Sequence, residues 1–181
     1  MTALIFDTET TGIPRHPLAT VQPRIIEFGG LLVDENGKIL DEMNVLINPS
    51  DLAVVPGLLD WAGIRRITGL TEFELRSEPE FEEVAEDIRP FFERADTMIS
   101  HNLPFDYGMF RIELSRLGIT DWPFPERRIC TVQEHAEEWG RRPKLTELYE
   151  YYTGQPLAQT HRALDDCKAL LSVCVLAGVL K

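Results

Sequence analysis

A chain of 181 residues, 44% apolar and 27% charged, can fill one cored domain and is too short for two. Its formal charge of −12 argues against a protein that coats duplex nucleic acid, since phosphate contacts draw on Lys and Arg. No basic stretch precedes Asp7, and the apolar run Leu170–Leu180 is half a membrane span broken by Ser172 and Gly178. A single domain over residues 1–181, cytoplasmic and without a membrane partner, is therefore expected.

In chain order, Ala3–Phe6 reads as a buried strand ending at Asp7. Arg24–Val33 and Lys38–Ile47 flank Asp34-Glu35-Asn36-Gly37, a hairpin signal, so the first three strands form an antiparallel meander. Residues 50–80 are punctuated by Pro and Gly and suit short helical turns. Phe81–Arg94 repeats apolar side chains at helical spacing, with an interruption expected near Pro90. Thr97–Ser100 is a short strand, and Pro104 opens a helix through Phe105, Met109, Ile112 and Leu117 that stops at Gly118. Thr131-Val132-Gln133-Glu134 fits a capping box for a helix to Trp139, and Leu145–Tyr152 makes another. A last helix begins at Thr160 and turns Leu164, Leu171, Val175 and Leu176 inward. This order predicts an α/β fold, a mixed β-sheet with helices on its faces.

Charge is unevenly spread. Residues 72–96 hold ten Asp and Glu against three Arg, a net of −7, and read as a solvated helix face. Residues 121–144 hold five of each sign, with Arg127-Arg128 and Arg141-Arg142, and offer a place for a phosphodiester backbone. Cys130, Cys167 and Cys174 form no CxxC pair and read as free buried thiols of a reducing compartment.

Carboxylates stand at the junctions between elements. Asp7 and Glu9 are two apart at a strand end, so both point to one side, a costly pairing unless a cation joins them. Asp106 sits in the first turn of a helix, where meeting the helix dipole is sufficient reason for it. Asp165 and Asp166 open the last helix about 100° apart, so at most one faces the site of Asp7. His101 reads as a turn residue, and His161 alone as a surface histidine. Asp7–Gly12 also invites a calcium-loop reading, but Leu18 stands where that loop needs an acid and a strand where it needs a helix. An aspartyl-nucleophile phosphatase, and a polar strand end without chemistry, remain open for Asp7 alone.

Taken together and in order, Asp7-x-Glu9, His101-Asn102-x-x-Phe105-Asp106, and His161 with Asp166 five residues on resemble the DEDD exonuclease superfamily. The branch is the one with a histidine in its third motif, which includes proofreading exonucleases. The resemblance extends through Thr10-Thr11-Gly12, Arg24–Glu27, Thr68–Thr71, Lys144-Leu145 and Tyr149. It departs at Thr68, where a histidine is often found, and at Cys130, where an acid is common; both bear on substrate preference. The resemblance implies a ribonuclease-H-like fold. It implies that Asp7, Glu9, Asp106 and Asp166 hold two divalent cations, Mg²⁺ or Mn²⁺, and that His161 activates the attacking water. The implied reaction is 3′→5′ removal of nucleoside 5′-monophosphates from a single-stranded 3′ end, DNA favoured and RNA the alternative, with a DNA polymerase as candidate partner. Proximity to the motifs makes Thr10, Ile13 and Phe105 candidate substrate contacts. A binding module that holds an end without cutting is the rival from another class.

Overall fold

The apolar alternation of the N-terminus builds the middle of a sheet. Ala3 and Ile5 bury on one face, Leu4 and Phe6 on the other, which makes β1 (Thr2–Thr10) a strand covered on both sides. The computed structural model describes residues 1–50 and 58–180. Beside β1, β2 (Ile25–Asp34) and β3 (Ile39–Leu46) pair antiparallel, while β4 (Thr97–Ser100) and β5 (Arg127–Cys130) add in parallel. The sheet order is β3-β2-β1-β4-β5. The meander is as expected, and Gly37 at φ 80° closes its hairpin, donating to the Asp34 carbonyl at 3.0 Å.

Helices cover both faces. They are α1 (Trp61–Thr68), α2 (Glu72–Arg76), α3 (Phe81–Glu93), α4 (Leu103–Arg116), α5 (Thr131–Trp139), α6 (Leu145–Thr153) and α7 (Ala163–Leu176). Residues of α3 and α4 pack on Leu4, Phe6 and Phe28, where Phe6, Phe92 and Phe110 meet edge to face at 5.1–5.9 Å. Residues of α6 and α7 pack on Ala3, Ile5, Leu31 and Val33. Among the described residues no helix is long and apolar enough to cross a membrane.

Several expectations need correction. The first strand does not end at Asp7; pairing with β2 carries it to Thr10. Helix α3 runs through Pro90 without interruption. Pro90 leaves the carbonyl of Glu86 without its helical donor, and Glu86 is an exposed residue, open to solvent. No capping box opens α5: Cys130 takes the cap position, and the Thr131 hydroxyl instead meets His101 Nδ1 at 3.0 Å. The last helix begins at Ala163, not Thr160. Its inner face is Ala163, Asp166, Cys167, Leu170, Val173 and Cys174, leaving Val175 and Leu176 43% and 57% exposed. From Ala169 onward that helix is apolar nearly all round, so the pattern there fixes its rotation only loosely. A close approach fixes it further: a Cβ on Gly29 would lie 2.5 Å from the backbone of Ala163 and Leu164, so only glycine lets α7 sit this near β2. Strand β5 went unforeseen because four residues beginning Arg127-Arg128 carry no apolar alternation. The short helical turns expected within 50–80 are α1 and α2, from Trp61 onward; residues 51–57 of that stretch lie outside the described residues.

Candidate active site

Strand parity sets the chemistry of β1. Beyond Ile5, the last residue paired with β4, the strand continues with only β2 beside it among the described residues. Asp7 and Glu9 follow Ala3 and Ile5 toward the α7 face, while Thr8 follows Phe6 toward α4. Two helices thus bring their N-terminal turns to the open carboxyl end of β1, where ligands of mixed α/β sheets commonly sit.

From α4 comes Asp106, 2% exposed. The Thr8 backbone N–H and hydroxyl donate to its Oδ1 at 3.0 and 2.7 Å, and the Ser100 hydroxyl donates to Oδ2 at 2.5 Å. Burial raises its pKa to about 6, and those three hydrogen bonds hold it from rising further. From α7 comes Asp166, 7% exposed, whose Oδ2 accepts from Gln159 Nε2 at 2.9 Å. Burial raises this carboxyl too, opposed by the Gln159 contact. Asp165 turns outward to accept the Thr160 hydroxyl at 2.8 Å. His161 is exposed and holds φ 52°, a left-handed conformation just before the helix.

Glu9, His161 and Asp166 each offer a ligand atom within 4.8 Å of the others. Asp7 is pushed well above the ordinary carboxylate range, first by burial and then by the charges of Asp106, Glu9, Asp166 and Glu27. Glu9 rises from 4.5 to about 8, first by burial, then by Asp166, Glu27 and Asp106, with Arg162 pulling the other way. The charges of Asp106, Glu9 and Asp166 thus act on Asp7, and those of Asp166 and Asp106 on Glu9, while Asp7 and Asp106 stand outside the 4.8 Å cluster itself. The oxygen-rich set of these carboxylates suits a hard divalent cation, which would replace the repulsion with attraction. Zn²⁺ would favour more nitrogen and sulfur.

The expected substrate contacts surround a second opening. Thr10, Ile13 and Phe105 line a cavity of about 430 Å³ that also includes Glu9, Leu58 and Leu59. Ile13 is 68% exposed, and Phe105 is half-buried against the core, so it both packs and borders the opening. The Thr10 hydroxyl is engaged, donating to the Gly12 carbonyl at 2.7 Å.

Sequence reasoning missed the parts that hold this centre. Glu27, fully buried opposite Glu9, accepts Arg162 Nε at 3.1 and 3.0 Å and Nη2 at 2.9 Å, tying β2 to the turn before α7. A lone acid inside the apolar run Ile25–Val33 was the available signal. Thr8, Ser100 and Gln159 are common polar residues, and nothing in the sequence singles them out. His101 is not among the converging groups. It sits against Thr131, and burial lowers its pKa to about 4. The calcium-loop reading fails because Asp7 and Glu9 lie within a strand.

A family model described as an exonuclease, RNase_T, matches residues 4–174. A Mycobacterium tuberculosis protein whose name gives it exonuclease and endonuclease activities is 31% identical over 183 residues, 95% of this chain and 26% of the relative. The PolC-type DNA polymerase III of Halalkalibacterium halodurans is 26% identical over 92% of this chain and 10% of its own length. DNA polymerase III subunit epsilon of Haemophilus influenzae is 29% identical over 96% of this chain and 66% of its own. The chain thus spans about a quarter or less of the first two relatives. Among solved structures, exonuclease I superposes with a TM-score of 0.78 and 21% identity over 98% of this chain and 41% of its own. The nuclease domain of 3′hExo, a DEDDh family member bound to rAMP, gives 0.73 and 20% over 96% and 90%. These establish the fold as that of ribonuclease-H-like exonucleases.

Proposed function

The chain belongs to the exonuclease family whose model covers residues 4–174, and on that premise we propose that it removes nucleotides stepwise from single-stranded 3′ ends. The observation that carries this reading is the cluster of Glu9, His161 and Asp166 within 4.8 Å, with Asp7 and Asp106 near enough to act on it and Glu9 raised to about 8 by burial and by the charges of its neighbours. Asp7, Glu9, Asp106 and Asp166 would hold two divalent cations, Mg²⁺ or Mn²⁺. When bound, such a pair lowers the pKa of a water and offsets charge on the phosphate and the departing 3′ oxygen.

The chain's own residues do the rest. Thr8 and Ser100 fix both oxygens of Asp106, so its direction is set before substrate arrives. Arg162, by holding Glu27, anchors the turn that carries His161. His161 lies within reach of Glu9 and Asp166 and is exposed, placed to take a proton from the attacking water at a ring nitrogen. Ile13 presents apolar surface where a terminal base would stack, with Phe105 across the same opening and the backbone near Thr10 beside the sugar. The product would be a nucleoside 5′-monophosphate.

Single-stranded DNA is the favoured substrate and RNA the alternative. Relatives named as DNA polymerase III components make a polymerase the candidate protein partner. We take residues 1–181 as one exonuclease domain working in the cytoplasm, which suits its three free buried cysteines. Matched DNA and RNA oligomers labelled at either end, incubated with Mn²⁺ or chelator, test this reading. Labelled mononucleotide should come first from the 3′ end and only with metal; release first from the 5′ end, or cutting in chelator, contradicts it.

A further inference from the structure

A chain with a formal charge of −12 gathers four arginines around one cavity. Arg15, Arg24, Arg111 and Arg116 line about 760 Å³ of space whose described walls carry no Asp or Glu. Behind the wall, Arg24 Nε and Arg116 Nη1 hold the two oxygens of Glu113 at 3.2 and 2.8 Å, and Glu113 is 2% exposed. Among the described residues, four guanidinium charges against that carboxylate leave a local excess of three. Arg15 and Arg111 lie outside this pairing. Arg15 Nη1 donates to the Val21 carbonyl at 3.1 Å, and the exposed Arg111 lies 5.9 Å over the Tyr107 ring.

The cavity adjoins the catalytic end of the molecule. It includes Thr11 and Pro14, while the opening beside Glu9 includes Thr10, Gly12 and Ile13, and both include Leu58. Along α4, Phe105 borders the first opening and Gly108, Arg111 and Ile112 border the arginine cavity. Phe105 and Ile112 are about 10 Å apart along the helix axis at 1.5 Å rise per residue. A strand whose last base stacks at Ile13 reaches the cavity within a few nucleotides. Guanidinium groups match phosphate oxygens in geometry and stay charged at every working pH. Building on the exonuclease reading, we infer that this arginine cavity holds backbone phosphates of the substrate strand a few nucleotides from its terminus. It supplies the local positive charge that the overall composition withholds.

The test is binding of a fluorescent 12-mer oligothymidylate whose 3′-terminal linkage is an uncuttable methylphosphonate, read by anisotropy in Mn²⁺ over a salt series. Arg15→Gln with Arg111→Gln leaves the Glu113 pairs intact. Two lost contacts should weaken Kd about 25-fold at 0.1 M salt and flatten the log–log salt slope by about 1.4. Arg94→Gln with Lys168→Gln removes the same charge from pairs with Asp41 and Glu42 and should leave Kd unchanged. An unchanged Kd and slope in the first pair, an equal loss in the second, or no binding by the unaltered chain overturns the inference. Hydrolysis of the p-nitrophenyl ester of thymidine 5′-monophosphate, which reaches only the catalytic end, reports separately on the exonuclease reading. It should be the same in the chain and both paired variants.

Discussion

Removing metal and raising pH should unfold this protein from its catalytic end. Glu9 goes from an ordinary 4.5 to about 8 in the fold, so the folded state holds a proton there that the unfolded chain has lost. A raised carboxylate contributes stability that is full below 4.5 and disappears as pH climbs through about 8. At about 1.4 kcal/mol per pH unit, that rise corresponds to roughly 5 kcal/mol as an upper bound. For a chain of this size each kcal/mol is worth roughly 2–4 °C, so the melting temperature should fall by about 10–20 °C at most. Asp7 and Asp106 are raised too and push the same way. Glu147, lowered to about 2 by Arg141, acts only at much lower pH and leaves this window clear. The assay is thermal unfolding in chelator from pH 5 to 9, repeated in 5 mM-scale Mg²⁺ and with Glu9→Gln. The metal-free curve should fall with pH, and both added metal and Glu9→Gln should flatten it. Metal-free stability that is level or rising between pH 5 and 8 would refute the repulsion on which the cation argument stands.

Three more outcomes follow from named contacts. Arg162→Gln leaves Glu27 buried at 0% exposure with its charge unpaired, and should cost about 3–5 kcal/mol in urea unfolding; a loss below about 1 kcal/mol contradicts the strut. Gly29→Ala drives a Cβ into the α7 backbone at 2.5 Å. It should shift Asp166 and His161 and weaken Mn²⁺ binding by about tenfold or more, whereas unchanged affinity in a calorimetric titration would show that α7 gives way elsewhere. Thr8→Val removes the hydroxyl that favours the charged form of Asp106, so the acid limb of the pH–rate profile should move upward, and a downward move would reverse the assigned sign.

The order of elements was legible because burial writes itself into spacing. Ala3–Phe6, the meander around Gly37 and the stripe from Phe81 to Phe92 are each periodic enough to read directly. Rotation and join were not legible. The second half of helix α7 is apolar on nearly every side, so the gap at Gly29, a contact 134 residues from Ala163 in sequence, helps decide that Cys167 and Leu170 face in and Leu176 faces out. Strand β5 is held by its neighbour β4 rather than by its own pattern. At the candidate site, the acids stood out by spacing and order: Asp7 and Glu9 two apart on β1, Asp106 and Asp166 in the first turns of α4 and α7. The supports did not: Ser100 and Gln159 look like any surface residue until the fold places them against Asp106 and Asp166. Glu27 falls between these cases, conspicuous as an acid in an apolar strand but unreadable without Arg162 opposite.

The sharpest test counts cations. Titrate Mn²⁺ into the chain with a nucleoside 5′-monophosphate and read the free ion by electron paramagnetic resonance, then repeat with Asp7→Asn. The chain should take up two ions and the variant should lose that tight uptake while staying folded. Equal stoichiometry and affinity in both would mean that Asp7 belongs to no metal centre, and the proposed chemistry would have no place to happen.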